Sequence, residues 1–245
     1  MTALVRAELR QLLTTRTTWG LLTAALLLCL IGTVLVLGEL GGIEAPPRGS
    51  TQLRDTLLGV SGIGLLPVLL LGVVAVTGEF HHRTATSTFL VVPDRRRVIA
   101  AKALACALVG PLVAVLLTAV PYAVGILAGA VDLTFDGRFM QLLGGAVLTF
   151  ACWALLGVGF GAAVRNQTVA VALPLLWFGV VEQLAPSYPA LQWLLPWLPG
   201  GVTAALGGGR FPGALPVWAA LLVFVVYALA LFLTGTRRIV RLDVT

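Results

Sequence analysis

Six apolar runs alternate with short polar interruptions along these 245 residues, at about 19 to 38, 57 to 77, 99 to 128, 139 to 164, 168 to 185 and 214 to 235. A bilayer hydrocarbon core roughly 30 Å thick takes about 20 residues of helix to cross, and each run is close to that length or beyond it. The pattern predicts an all-α polytopic membrane protein: six transmembrane helices forming one transmembrane domain over 1 to 245, with no stretch left for a soluble domain.

Ahead of the first run, residues 2 to 16 place Val5, Leu9, Leu12 and Leu13 on one helical face and Arg6, Arg10, Gln11 and Thr14 on another. That is the pattern of an interfacial amphipathic helix whose arginines reach anionic headgroups. Trp19 opens the first span as an interface anchor. Residues 39 to 56, rich in Gly and Pro and mixed in charge, read as a short exposed loop. The second span opens with Gly59, Val60, Ser61 and Gly62, a G-x-S-G that matches intramembrane serine proteases. A serine nucleophile needs a base at its own depth. Both histidines, His81 and His82, lie at the other end of the same span, about 30 Å away at 1.5 Å per residue. The small residues Gly59, Gly62, Gly64 and Gly72 are better read as positions for close helix packing.

Pro111 and Pro121 predict packing irregularities or a hinge in the third span. Gly157, Gly159 and Gly161 end the fourth, and the three-residue turn Arg165, Asn166 and Gln167 predicts that the fourth and fifth spans form a tight antiparallel pair. Glu182 falls near the outer end of the fifth span. Between 186 and 213, Pro186, Pro189, Pro196, Pro199 and Pro212 alternate with Trp193 and Trp197, a pattern expected of short helices dipping into the outer interface.

Charge then orients the spans. Arginines and the single lysine number twelve in the N-terminal segment, the 78 to 102 stretch, the 165 to 167 turn and the C-terminal tail, against four (Arg48, Arg54, Arg138 and Arg210) in the alternate loops. The positive-inside rule therefore predicts both termini in the cytoplasm of a cell membrane. The first span, with no cleavage pattern behind it, is expected to insert as an uncleaved signal anchor. A mean hydropathy of +1.02 and charged residues at only 11 % fit this class. The pI of about 10 does not predict nucleic acid as a partner, because the basic residues are spread over short loops. Cys29, Cys106 and Cys152 all fall inside spans and are expected to be inert thiols.

One stretch is different in kind. Residues 78 to 102, GEFHHRTATSTFLVVPDRRRVIAAK, hold Glu79 at the close of the second span and a Thr/Ser-rich segment long enough for two helical turns. Pro93, Arg95, Arg96 and Arg97 follow, with Lys102 opening the third span. This resembles the first cytoplasmic loop of ABC type 2 permeases, the membrane subunits of ATP-binding cassette exporters, and the span count, the polar N-terminal helix and the outer segment before the last span extend the resemblance over most of the chain. It implies a coupling helix over about 80 to 92 that docks on a cytoplasmic ATPase, present in two copies. Glu79, Phe80, Arg83, Thr84, Thr88, Phe89, Leu90 and Pro93 would do the coupling. Arg6, Arg10, Arg95, Arg96 and Arg97 would hold the chain at the membrane surface. The resemblance also implies a second permease chain as homodimer partner, with the second and fifth spans lining the interface and any substrate path, where Gly59, Gly62, Gly64, Gly72 and Glu182 would lie.

No G-x-x-x-x-G-K-[ST] occurs in the sequence, so no ATP hydrolysis is expected of the chain itself. No cofactor is expected on this chain; ATP and Mg would belong to the partner subunit. No spacing predicts a metal site. Two other classes stay open: a stand-alone secondary transporter or channel, and a structural membrane partner without transport.

Overall fold

The computed structural model describes residues 1–40, 42, 46–81, 95–164, 166–207 and 213–240. The regular elements among these residues are all helices, with no strand. Six stretches are long and apolar enough to cross a membrane: Arg16–Gly38, Thr51–Glu79, Arg97–Leu127, Gly137–Val164, Gln167–Ser187 and Val217–Gly235. The chain is an all-α, multi-pass membrane protein.

Helix α1 (Thr2–Thr14) is the amphipathic N-terminal segment, and α2 (Arg16–Gly38) is the first span. Thr15, with extended backbone (φ −83°, ψ 126°), separates them. Its hydroxyl donates to the Gln11 carbonyl at 2.6 Å, and the Trp19 indole donates to the Leu13 carbonyl at 2.7 Å, so the elbow is closed by its own side chains.

The second span is a composite rod of α3 (Thr51–Gly59), a 3₁₀ stretch (Val60–Gly64) and α4 (Leu65–His81). It starts inside the segment that the sequence suggests is an exposed loop. Ser50 caps α3 by accepting the Leu53 N–H at 3.1 Å, and Leu53, Leu57 and Leu58 turn inward against Tyr122 and Phe139. Two of the charges in this segment, Arg54 and Asp55, are engaged within the fold as well. Arg54, 4 % exposed, donates to Asp136 at 2.8 Å and to Thr134 at 2.9 Å, and Asp55 accepts from Arg138 at 3.0 Å. Partners some eighty positions away convert a loop-like composition into a helix start.

The third span belongs to α5 (Arg95–Leu127), which carries Pro111 and Pro121 without interruption, and the fourth to α6 (Gly137–Val164). At the core of the bundle α4 and α6 touch backbone to backbone. A Cβ built on Gly72 would collide with the Ala154 carbonyl, one on Gly157 with the Leu69 carbonyl, and one on Gly161 would stand 2.7 Å from the Val73 carbonyl. The glycine edge of α6 is thus taken up by α4, with Gly159 facing Leu231. The fourth and fifth spans are accordingly not the tight pair expected: α7 (Gln167–Leu176) follows α6 by a short turn but lies mainly against α4. Beyond Pro174 the fifth span continues through a π-helical turn, Trp177–Val181, and a final turn, Glu182–Leu184. Three short 3₁₀ turns and α8 (Pro199–Leu206) precede α9 (Val217–Val240), in keeping with the short helices expected there. α4 is the most enclosed span, whereas α2, α7 and α9 present most of their apolar surface outward.

Candidate functional site

The end of the bundle that carries α1 holds a buried cluster of charge. Face arithmetic on α1 puts positions 5, 8, 9 and 12 on one stripe, so an acidic residue, Glu8, sits in the middle of the apolar face. Its carboxylate has a specific partner: Lys102 Nζ donates to Glu8 Oε2 at 2.6 Å. The same ammonium donates to Glu79 Oε1 at 2.6 Å. Relative exposures of 9 % for Glu8, 7 % for Glu79 and 2 % for Lys102 place the triad out of bulk water.

The chain's one lysine therefore ties three helices: α1 through Glu8, the last turns of α4 through Glu79, and the start of α5 through its own backbone. A buried charge this close to a partner is tolerated because attraction and hydrogen bonds offset its desolvation, and removing Lys102 takes that offset away from both carboxylates. Burial pushes the Glu8 carboxyl above its ordinary value near 4.5, Lys102 pulls it down, and Glu79 adds to the upward push.

Beside the triad lies a cavity of about 280 Å³ lined by Glu8, Gln11, Thr15, Thr18, Glu79 and Gln167, among others. Its lining mixes carboxylates, amides and hydroxyls from α1, α2, α4 and the start of α7, an unusually polar composition for a bundle this greasy.

Of the coupling residues expected from the sequence, Glu79 is in the triad. Phe80 lies in the last turn of α4, and Arg83, Thr84, Thr88, Phe89, Leu90 and Pro93 lie outside the described residues. Arg95, Arg96 and Arg97 form the first turn of α5, and Arg6 and Arg10 lie on the exposed side of α1. Glu8 is what sequence reasoning missed; its signal is a carboxylate interrupting an apolar stripe at helical spacing, matched by a lone lysine at a span entrance.

The glycines of the second span divide. Gly64 packs on Leu117 and Phe150, and Gly72 on α6, both within the chain. Gly59 and Gly62 have open space before them and border a cavity of about 250 Å³ shared with Thr149, Thr203 and Gly207. Ser61 donates to the Leu58 carbonyl at 2.8 Å, an ordinary helix-turn bond that engages its hydroxyl.

At the opposite end, Asp136 caps α6 by accepting the Phe139 N–H at 2.8 Å. That bond, with the Arg54 guanidinium, holds its carboxyl below the ordinary range. Tyr122 accepts the Thr134 N–H at 2.7 Å, fixing the connection between α5 and α6. Glu182 does not point freely into solvent: it accepts the Gly200 N–H at 3.0 Å, at the N-terminus of α8, and the Trp177 indole N–H at 3.3 Å. Cys29, Cys106 and Cys152 are free thiols. No family model matches the chain, and no curated protein matches it either.

Proposed function

We propose that this chain is the membrane-spanning permease subunit of an ATP-driven exporter of the ABC type 2 kind, working in a cell membrane with both termini in the cytoplasm. The twelve-to-four distribution of basic residues supports that orientation. Two copies of the chain would enclose the path, and two copies of a cytoplasmic ATPase would bind through the segment between α4 and α5.

The observation that carries this reading is the Lys102 triad. A partner that pushes on the segment after Glu79 acts on a chain whose two flanking helices are cross-braced to each other and to α1 by one buried ammonium. Force applied there reaches α4, the most enclosed span, without being lost in a compliant joint. Binding of the ATPase would favour one of two bundle arrangements by differential affinity.

The experiment is co-purification with a candidate ATPase, comparing wild type with Phe89→Ala and Glu79→Ala. Truncating an aromatic anchor costs about 2 kcal/mol or more of binding, roughly 30-fold. Unchanged retention and unchanged ATP turnover in both variants sinks the coupling role.

The same triad opens on a polar cavity, which favours a second reading, a stand-alone transporter coupled to protons or ions. Transport by the isolated chain in vesicles without any ATPase selects that reading over the first.

A further inference from the structure

The far half of the fifth span builds an arrangement that the fold itself does not require. Pro174 removes one backbone donor, and the π turn Trp177–Val181 comes at once after it, a local widening that re-aims the side chains around it. Two cavities flank this turn. The larger, about 530 Å³, is bounded by Leu69, Leu156, Phe160, Phe178, Tyr227 and Leu231, and its wall is almost wholly apolar. The smaller, about 420 Å³, has Glu182, Gln183, Pro186, Leu195, Gly200 and Gly201 around it. Leu198 borders both, and the consecutive residues Pro199 and Gly200 border one each.

We propose that the two cavities form one site for a monocationic amphiphile, with its charged head in the smaller cavity against Glu182 and its apolar body in the larger. The proposal deepens the exporter reading by naming a substrate class, and it rests on that reading for the transport step after binding. Three features select this ligand.

The first is charge. Glu182 takes neutral N–H groups from Gly200 and Trp177, and no cationic side chain among the described residues reaches it. A carboxylate offers about four lone-pair directions, so these donors leave room for another. In a partly apolar surround, an ion pair gains more than it does in water.

The second is the adjoining volume. A hard inorganic cation asks for six or more oxygen ligands, and among the described residues Glu182 is the only carboxylate lining either cavity. An uncharged lipid chain would fill the larger cavity and leave the carboxylate unused. A molecule with an apolar body and one positive group uses both and neutralises the carboxylate.

The third is architecture. The Tyr227 hydroxyl donates to the Trp197 carbonyl at 2.5 Å and Trp153 Nε1 donates to Thr203 Oγ1 at 2.8 Å, so the segment carrying Gly200 is fastened to α9 and α6. The walls of the two cavities therefore hold a fixed relation to each other, as a binding site needs.

The test uses the purified full-length chain in lipid nanodiscs, without any ATPase. The probes are radiolabelled dodecyltrimethylammonium and its uncharged carbon isostere 2,2-dimethyltetradecane; empty nanodiscs supply the partition background. Saturable dodecyltrimethylammonium binding is expected, stronger than that of the uncharged probe. Glu182→Gln keeps an acceptor oxygen for the Gly200 N–H, so the thermal midpoint and the binding of the uncharged probe should hold while dodecyltrimethylammonium affinity falls about tenfold or more. Leu231→Trp, which fills the larger cavity, should weaken both probes. Equal dodecyltrimethylammonium binding by wild type and Glu182→Gln overturns the proposal, as does the absence of saturable binding. Should Glu182→Gln fail to fold, wild type decides alone, and equal affinity for the two probes overturns it. None of these outcomes bears on ATPase docking, so the exporter reading stands or falls separately.

Discussion

The ammonium of Lys102 and the carboxylate of Glu8 lie 2.6 Å apart although 94 positions separate them in the chain. Such a pair can exist only if α1 is pressed onto the bundle, so α1 is part of the folded core and not a loosely adsorbed tail. Lys102→Met should therefore destabilise strongly, by about 3 to 5 kcal/mol, because it leaves two buried carboxylates facing each other. Adding Glu8→Gln and Glu79→Gln should recover much of the loss. Thermal unfolding of the purified protein in one detergent measures both, and a Lys102→Met variant as stable as wild type would show that the triad does not form.

The raised Glu8 carboxyl gives that corner a pH signature. The folded state holds this proton to higher pH than the unfolded state does, so between the ordinary value near 4.5 and the raised folded value stability falls as pH rises. The contribution is complete below the unfolded value and gone above the folded one. Glu8→Gln cannot titrate. The difference in thermal midpoint between wild type and Glu8→Gln, measured from acid to neutral pH, should shift against wild type as pH rises, and a difference constant with pH contradicts the assignment.

Two glycines of the second span should respond in opposite ways. At Gly72 an added methyl meets the Ala154 carbonyl and the neighbouring backbone of α6, so Gly72→Ala should cost about 1 to 3 kcal/mol through overpacking. At Gly59 nothing lies within 4 Å of the new carbon, and helix propensity alone should make Gly59→Ala neutral or stabilising by up to about 1 kcal/mol. Paired melting curves decide this, and similar losses at both sites would falsify the packing described for α4 and α6.

Orientation is open to a labelling test. In a chain with Cys29, Cys106 and Cys152 replaced by alanine, Arg48→Cys should react with an impermeant thiol reagent added to intact cells, and Arg97→Cys should react only after the membrane is opened. Equal reaction at the two positions before opening ends the six-span arrangement with both termini inside.

Span number, the amphipathic helix and the short outer helices were legible because apolar length and helical spacing are local properties of the chain. The start of α3 was not. Arg54 and Asp55 look solvated until Asp136 and Arg138, more than eighty positions on, are brought beside them. The same limit hid Glu8: an isolated carboxylate on an apolar stripe reads as a blemish, and only the fold supplies Lys102. The partner of the glycine edge on α6 was likewise unreadable, because a small residue states that something comes close without stating what. Pro174 marked an irregularity in the fifth span, but the π turn beyond it depends on how the freed backbone groups are taken up again.

Where α4 crosses α6, the contact is made by main chain on both sides, and main chain is the one part of a protein that substitution cannot exchange. A lineage diversifying from this molecule could remodel the outward faces of α2, α7 and α9 residue by residue. A methyl at Gly72, Gly157 or Gly161 would press on facing backbone, which cannot rotate aside as a side chain can, so the glycines themselves set the separation of these two spans.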